Sequence, residues 1–146
     1  MPLVSCAADV DRVRALSRGQ VAVGAMIETS DAVDRIEEIA STADFICIGT
    51  NDLFASVTGQ DRAHSTLSFD AQAFRMIERV VAVAHAHHRK VSVCGELAAD
   101  RRGARILAGL GADAISVSTA RFARTKLSLG EVTLGDCREA ARAALG

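Results

Sequence analysis

The sequence predicts an α/β fold with a parallel sheet, either doubly wound or part of a (β/α)8 barrel, in a single domain over residues 1–146. Three observations predict it. Short apolar runs alternate with longer amphipathic ones five times along the chain, and right-handed crossovers between such runs make the strands parallel. Each short run is apolar in successive positions, the pattern of a strand covered on both faces. Groups capable of chemistry fall at the carboxyl ends of three runs: Glu28 and Thr29, Asn51 and Asp52, Cys94 and Glu96. In a parallel barrel those ends share one rim, and ligands bind there. A G-x-G-x-x-G loop after the first strand is absent, which lowers the dinucleotide-binding version of a doubly wound sheet.

The first strand is "MPLVS" (1–5), followed by a helix carrying Val10 and Val13. "VAVGAMI" (21–27) is the second strand. Ser30 is the expected N-cap of the next helix, with Asp31 and Asp34 near its positive end and Val33, Ile36 and Ala40 on one side. "DFICIG" (44–49) leads to a long helix marked by Phe74, Ile77, Val81 and Ala84, and "KVSVCG" (90–95) to a helix capped by Asp100. That helix turns Ile106, Leu107 and Leu110 inward and ends at Gly111. The last strand is "DAISVS" (113–118), and "TLGD" (133–136) caps a C-terminal helix "DCREAARAAL" (136–145).

Composition removes several functions. A formal net charge of -1 gives no electrostatic case for nucleic acid or an anionic membrane. Aromatic residues are 3% of the chain, without Trp or Tyr, so stacking on bases is not expected. No apolar run approaches the ~20 residues that cross a bilayer. Cys6, Cys47, Cys94 and Cys137 are scattered without a C-x-x-C pair, which points to reduced thiols in a cytoplasm rather than zinc or disulfides.

At the rim, Glu28 and Asp52 lie at the tips of successive strands, about 4.8 Å apart in a sheet. Two carboxylates with little else suit Mg²⁺, which fills its remaining positions with water and substrate oxygens. Asn51 can donate to a phosphate or carboxylate, Arg62 can hold a phosphate bidentately, and Cys94 can pass a proton to or from a substrate carbon.

Four stretches in order, "GAMIET" (24–29), "FICIGTNDL" (45–53), "GQDR" (59–62) and "VCGELAAD" (93–100), resemble the phosphoenolpyruvate (PEP)-binding barrel of the PEP-utilising enzymes. The likeness is strongest to enzyme I of the bacterial sugar phosphotransferase system, with pyruvate phosphate dikinase and PEP synthase as more distant relatives. The resemblance implies a (β/α)8 barrel with Mg²⁺ and PEP at its carboxyl rim. It implies that Glu28 and Asp52 are metal ligands, Asn51 and Arg62 bind substrate, and Cys94 is the acid that protonates the enolate to pyruvate. Met26, Gly95 and Glu96 line the site at most. The family reaction moves the PEP phosphoryl group onto a histidine of a separate domain.

The departures from the family pattern are large. The chain corresponds to a partial (half) TIM barrel, about five βα units matching the fourth to eighth. The earlier units with their phosphate-binding arginines are missing, and none of the four His residues sits in a phosphohistidine motif. Ser30 stands where the family has proline after "ET", and "SFDAQAF" (68–74) replaces a histidine-proline helix start.

An open half barrel exposes apolar surface and two edges, so completion as a homodimer is expected. Two functions follow. One is a Mg²⁺-dependent PEP- or pyruvate-binding domain unable to transfer phosphate alone, working with a separate phosphohistidine protein. The other is a non-catalytic binding or assembly module that keeps the rim without turnover. Excision from a longer enzyme is a third possibility; Met1-Pro2 and the capped last helix favour a complete small protein. Glu28, Asn51 and Asp52 could also be plain helix caps and loop residues, and Cys94 a small buried hydrophobe. His85, His87 and His88 read as a solvated helix end away from the rim. Arg101 and Arg102 open a helix at the end where the helix dipole disfavours cations, and the sequence offers no account of them.

Overall fold

A computed structural model describes residues 2–58 and 69–146. Among these residues the chain forms four strands and nine helices. Helix α1 (Ala7–Leu16) precedes β1 (Gly24–Ile27), and the short helices α2 (Ser30–Asp34) and α3 (Ile36–Thr42) lead to β2 (Phe45–Gly49). α4 (Thr50–Thr58) and α5 (Ala71–Ala86) connect β2 to β3 (Lys90–Cys94); α6 (Glu96–Ala99) and α7 (Arg101–Gly109) connect β3 to β4 (Ala114–Ser116). α8 (Thr119–Gly130) and α9 (Leu134–Leu145) close the chain.

All pairings are parallel and the strand order is β1-β2-β3-β4. Each crossover therefore moves one place in the same direction. A doubly wound sheet reverses direction and carries helices on both faces, whereas a barrel does not. This order selects the partial TIM barrel.

The winding leaves the two faces of the sheet unlike. Ala25, Ile27, Ile46, Ile48, Val91 and Val93 point to the helices and are fully buried, with Ile36, Ile39, Leu53, Phe74, Ile77, Ile106 and Leu107 packed around them. Met26, Cys47, Ser92 and Cys94 occupy the opposite face and are only half-buried, and Phe45 is 38% exposed. The strands were expected to be covered on both faces; in this chain the second face, the interior of a closed barrel, is open. Among the described residues, no helix is long and apolar enough to cross a membrane.

Two expectations need correction. Residues 2–5 of "MPLVS" form no strand: Val4 is buried, but Leu3 takes a left-handed backbone (φ 51°) and stands 74% exposed. The sheet thus has four strands rather than five among the described residues. The cap of α2 is Thr29, whose hydroxyl accepts from the Ala32 N–H, and Ser30 is the first helical residue. The caps read at Asp100 and at Thr133 with Asp136 form as expected.

At the amino ends of the strands the same device appears twice. The Asp44 N–H donates to the Val23 carbonyl (2.9 Å), and the Val23 N–H donates back to Asp44 Oδ2 (2.6 Å). The Asp113 N–H donates to the Val91 carbonyl (2.9 Å), and the Val91 N–H donates back to Asp113 Oδ2 (2.9 Å). Arg14 joins the first clasp, and Lys90 and His85 join the second. Burial alone would raise the Asp113 pKa, but hydrogen bonds from Lys90, Val91 and His85 more than offset it and hold the carboxyl well below its usual range. A carboxyl depressed in this way stabilises the fold above its unfolded pKa of about 4, and the contribution disappears as pH falls through the lower folded value. Asp113→Asn is therefore expected to cost about 1–3 kcal/mol at neutral pH, measured by urea unfolding. The gap from the parent chain should shrink once the pH is brought well below 4. An equal gap at both pH values would remove the charge from this account.

Candidate functional site

The carboxyl ends of β1, β2 and β3 meet the first turns of α4 and α6. Glu28 follows β1 directly and is only 6% exposed. Its Oε1 accepts the Leu3 N–H at 2.6 Å, so the segment before α1 closes over it instead of adding a strand. Gly49 makes room on the other side: a Cβ there would lie 3.2 Å from Glu28 Oε2 and 3.6 Å from Met26 Sδ. One carboxylate oxygen is thus held by the backbone while the other lies over the glycine.

Polar side chains join the tips of β2 and β3. The buried Thr50 hydroxyl donates to the Cys94 carbonyl (2.9 Å), and Asn51 Oδ1 accepts the Glu96 N–H (2.9 Å). With its carbonyl engaged, Asn51 has its amide hydrogens to offer the rim. Between Cys94 and Glu96, Gly95 takes φ +117°, a conformation closed to other residues in practice. Asn51 and Asp52, read from sequence as a strand tip, belong to the first turn of α4.

Cys94 is half-buried, and its thiol pKa is raised by burial first, then by the Cys47 thiol and the carboxylates of Glu28 and Asp52. Those couplings place Glu28, Asp52 and Cys94 in one electrostatic neighbourhood, and Asn51 is fixed beside it through Glu96. Arg62 lies outside the described residues. Among the described residues, no group of three or more His, Cys, Asp or Glu side chains is set to hold a metal ion. The Glu28 and Asp52 carboxylates are hard oxygen donors, the type that Mg²⁺ takes with water and substrate completing its shell.

Four features escaped sequence reasoning. The Leu3 N–H and the Thr50 hydroxyl act across 25 and 44 residues, separations that no local pattern reveals. Ser92 donates to Cys47 Sγ (3.1 Å) on the open face, behind Cys94. His85 and His87 are not merely solvated: they contact Asp113 (2.8 Å) and Glu37 (2.9 Å), at the end of the sheet opposite the rim.

Residues 3–134 match the family of the PEP-utilising enzyme, PEP-binding domain. The chain belongs to this family. It is 38% identical over 130 residues to the multiphosphoryl transfer protein of Rhodobacter capsulatus, covering 86% of this chain and 16% of that protein. It is 30% identical over 132 residues to the phosphoenolpyruvate-protein phosphotransferase of Mycoplasma capricolum, covering 87% of this chain and 23% of that protein. The chain therefore spans about a fifth of the length of these relatives. Solved structures agree on the fold of this PEP-binding family member. RipC from Yersinia pestis superposes with a TM-score of 0.69 at 14% identity, over 88% of this chain and 61% of that one. The citrate lyase beta subunit from Mycobacterium tuberculosis, complexed with oxaloacetate and magnesium, gives 0.65 at 18% identity over 86% and 57%.

Proposed function

We propose that the rim binds PEP or pyruvate with Mg²⁺, and that the chain supplies the metal ligands and the proton donor but not the phosphoryl acceptor. The observation that carries this reading is the meeting of Glu28, Asn51 and Cys94 at the carboxyl ends of adjacent parallel strands, tied by the Thr50–Cys94 and Asn51–Glu96 hydrogen bonds. Glu28 and Asp52 are assigned to Mg²⁺, which when bound supplies positive charge to a substrate oxygen. Asn51 donates to a substrate oxygen, Arg62 holds the phosphoryl group, and Cys94 delivers a proton to the substrate carbon. None of the four histidines lies in a phosphohistidine motif, so the acceptor is sought outside these 146 residues. The names of the two phosphotransferase relatives, and the magnesium in one structural neighbour, support this assignment.

The proton step has its own readout. In D2O with Mg²⁺, the chain is expected to exchange the methyl protons of pyruvate, observed by proton NMR, and Cys94→Ala should stop the exchange. Exchange that persists in the variant would take the acid role from Cys94.

The open face and the free edges of β1 and β4 support a second reading, in which two copies assemble. Four sequential parallel strands are half of an eight-strand barrel, and a two-fold axis along the barrel would set β4 of each copy beside β1 of the other. Sedimentation is expected to report a dimer; a folded monomer at low micromolar concentration would exclude it. If the dimer forms but neither binding nor exchange is seen, the chain is an assembly module.

A further inference from the structure

The arginines that open α7 and α8 have no place in the reading above, yet they converge. Arg101 from the first turn of α7, Arg121 from the first turn of α8 and Arg124 one turn further on line one 90 Å³ cleft with Glu96, Ala99 and Asp100. The cleft lies at the same end of the sheet as Cys94: Glu96 begins two residues beyond it and donates its N–H to Asn51, and Cys94 is in register with Ser116, just before α8. Cations at helix starts oppose the helix dipole, and this chain places them at two adjacent helices.

Their partners show which of them remain to be explained. Arg101 is paired with Glu131 (2.6 Å), and Arg102 stacks over the Phe69 ring, 4.6 Å from its centre. Asp100 Oδ1 accepts the N–H groups of Arg102 and Gly103, so that oxygen is engaged in capping α7. Arg121 and Arg124 form no ion pair among the described residues. They stand three apart on α8, where like charges repel. Glu96 and Asp100 are the acids lining the cleft, against the guanidiniums of Arg121, Arg124 and the Glu131-paired Arg101. Such forks match the geometry of phosphate oxygens, and the cleft has room for a small oxyanion and none for a nucleotide.

We propose that Arg121 and Arg124, with Arg101, bind a phosphate group at the rim. The proposed function supplies the identity of that group, the phosphoryl of PEP; the binding of phosphate itself stands or falls independently. Titration of the chain with inorganic phosphate, followed by calorimetry, is the test. The double variant Arg121→Ala/Arg124→Ala should weaken phosphate by about tenfold or more, Glu96→Gln should tighten it, and Arg138→Ala, on α9 outside the cleft, should leave it unchanged. Unfolding curves confirm that each variant is folded. Absence of phosphate binding by the parent chain, or equal binding by the double variant, would overturn the proposal. Competition between phosphate and PEP would assign the cleft to the substrate, and simultaneous binding would assign it to free phosphate. Binding of Mg²⁺ with oxalate, which carries no phosphate, tests the main reading separately.

Discussion

Asp52→Ala is expected to abolish the heat of Mg²⁺-dependent PEP binding in calorimetry. Magnesium is held by one or two carboxylates, and Glu28 and Asp52 are the two assigned to it. Glu28 already gives Oε1 to the Leu3 N–H, which leaves Oε2 as its ready donor. Without Asp52 the protein would present little more than that one oxygen. Changing residues that merely orient metal ligands costs 10- to 100-fold, so loss of a ligand itself should exceed about 100-fold. Asp52→Asn keeps the shape and removes the charge, and should fail nearly as badly if charge is the reason. Wild-type affinity in both variants would sink the metal assignment; no heat from the parent chain would remove ligand binding altogether.

Gly95→Ala should be the most damaging small substitution at the rim. At φ +117° and ψ -179°, a side chain is strained whatever the space, at a cost of about 1–3 kcal/mol. Space is also lacking: the new Cβ would run into Thr50 Oγ1 and come within 2.8 Å of Asn51 Oδ1. Those two atoms make the hydrogen bonds that join α4 to the end of β3. Losing them adds roughly 0.5–1.5 kcal/mol each. The expected total is about 3 kcal/mol, read as a fall in the urea midpoint, together with loss of ligand binding because Asn51 is displaced. An unchanged midpoint would show that the backbone at Gly95 adapts freely.

Much of this architecture could be read from the chain, and the exceptions have physical causes. β1 to β4 announce themselves as short apolar runs, and α5 and α7 by apolar faces with polar caps. α8 was missed because it turns Thr125 and Ser128 inward and leaves Phe122 and Leu127 exposed, so hydrophobic periodicity cannot find it. "MPLVS" has the composition of a strand, but Leu3 donates its N–H to Glu28 in place of a neighbouring strand. The shift from Ser30 to Thr29 reflects two adjacent hydroxyls, either of which could cap. At the site, the polar residues at the strand ends were legible as a pattern. The links that orient them, Leu3 to Glu28 and Thr50 to Cys94, were not, because they join residues far apart in sequence.

The two aspartate clasps carry a consequence for how the chain folds. Each spans only 21 or 22 residues, tying β1 to β2 and β3 to β4. A pair that slipped by one residue would separate the aspartate from its N–H and turn the helix-facing row outward. Alignment can thus be proofread inside each βαβ unit before the two halves of the sheet meet. Nearby contacts of this kind shorten the conformational search, which favours rapid folding for a parallel sheet.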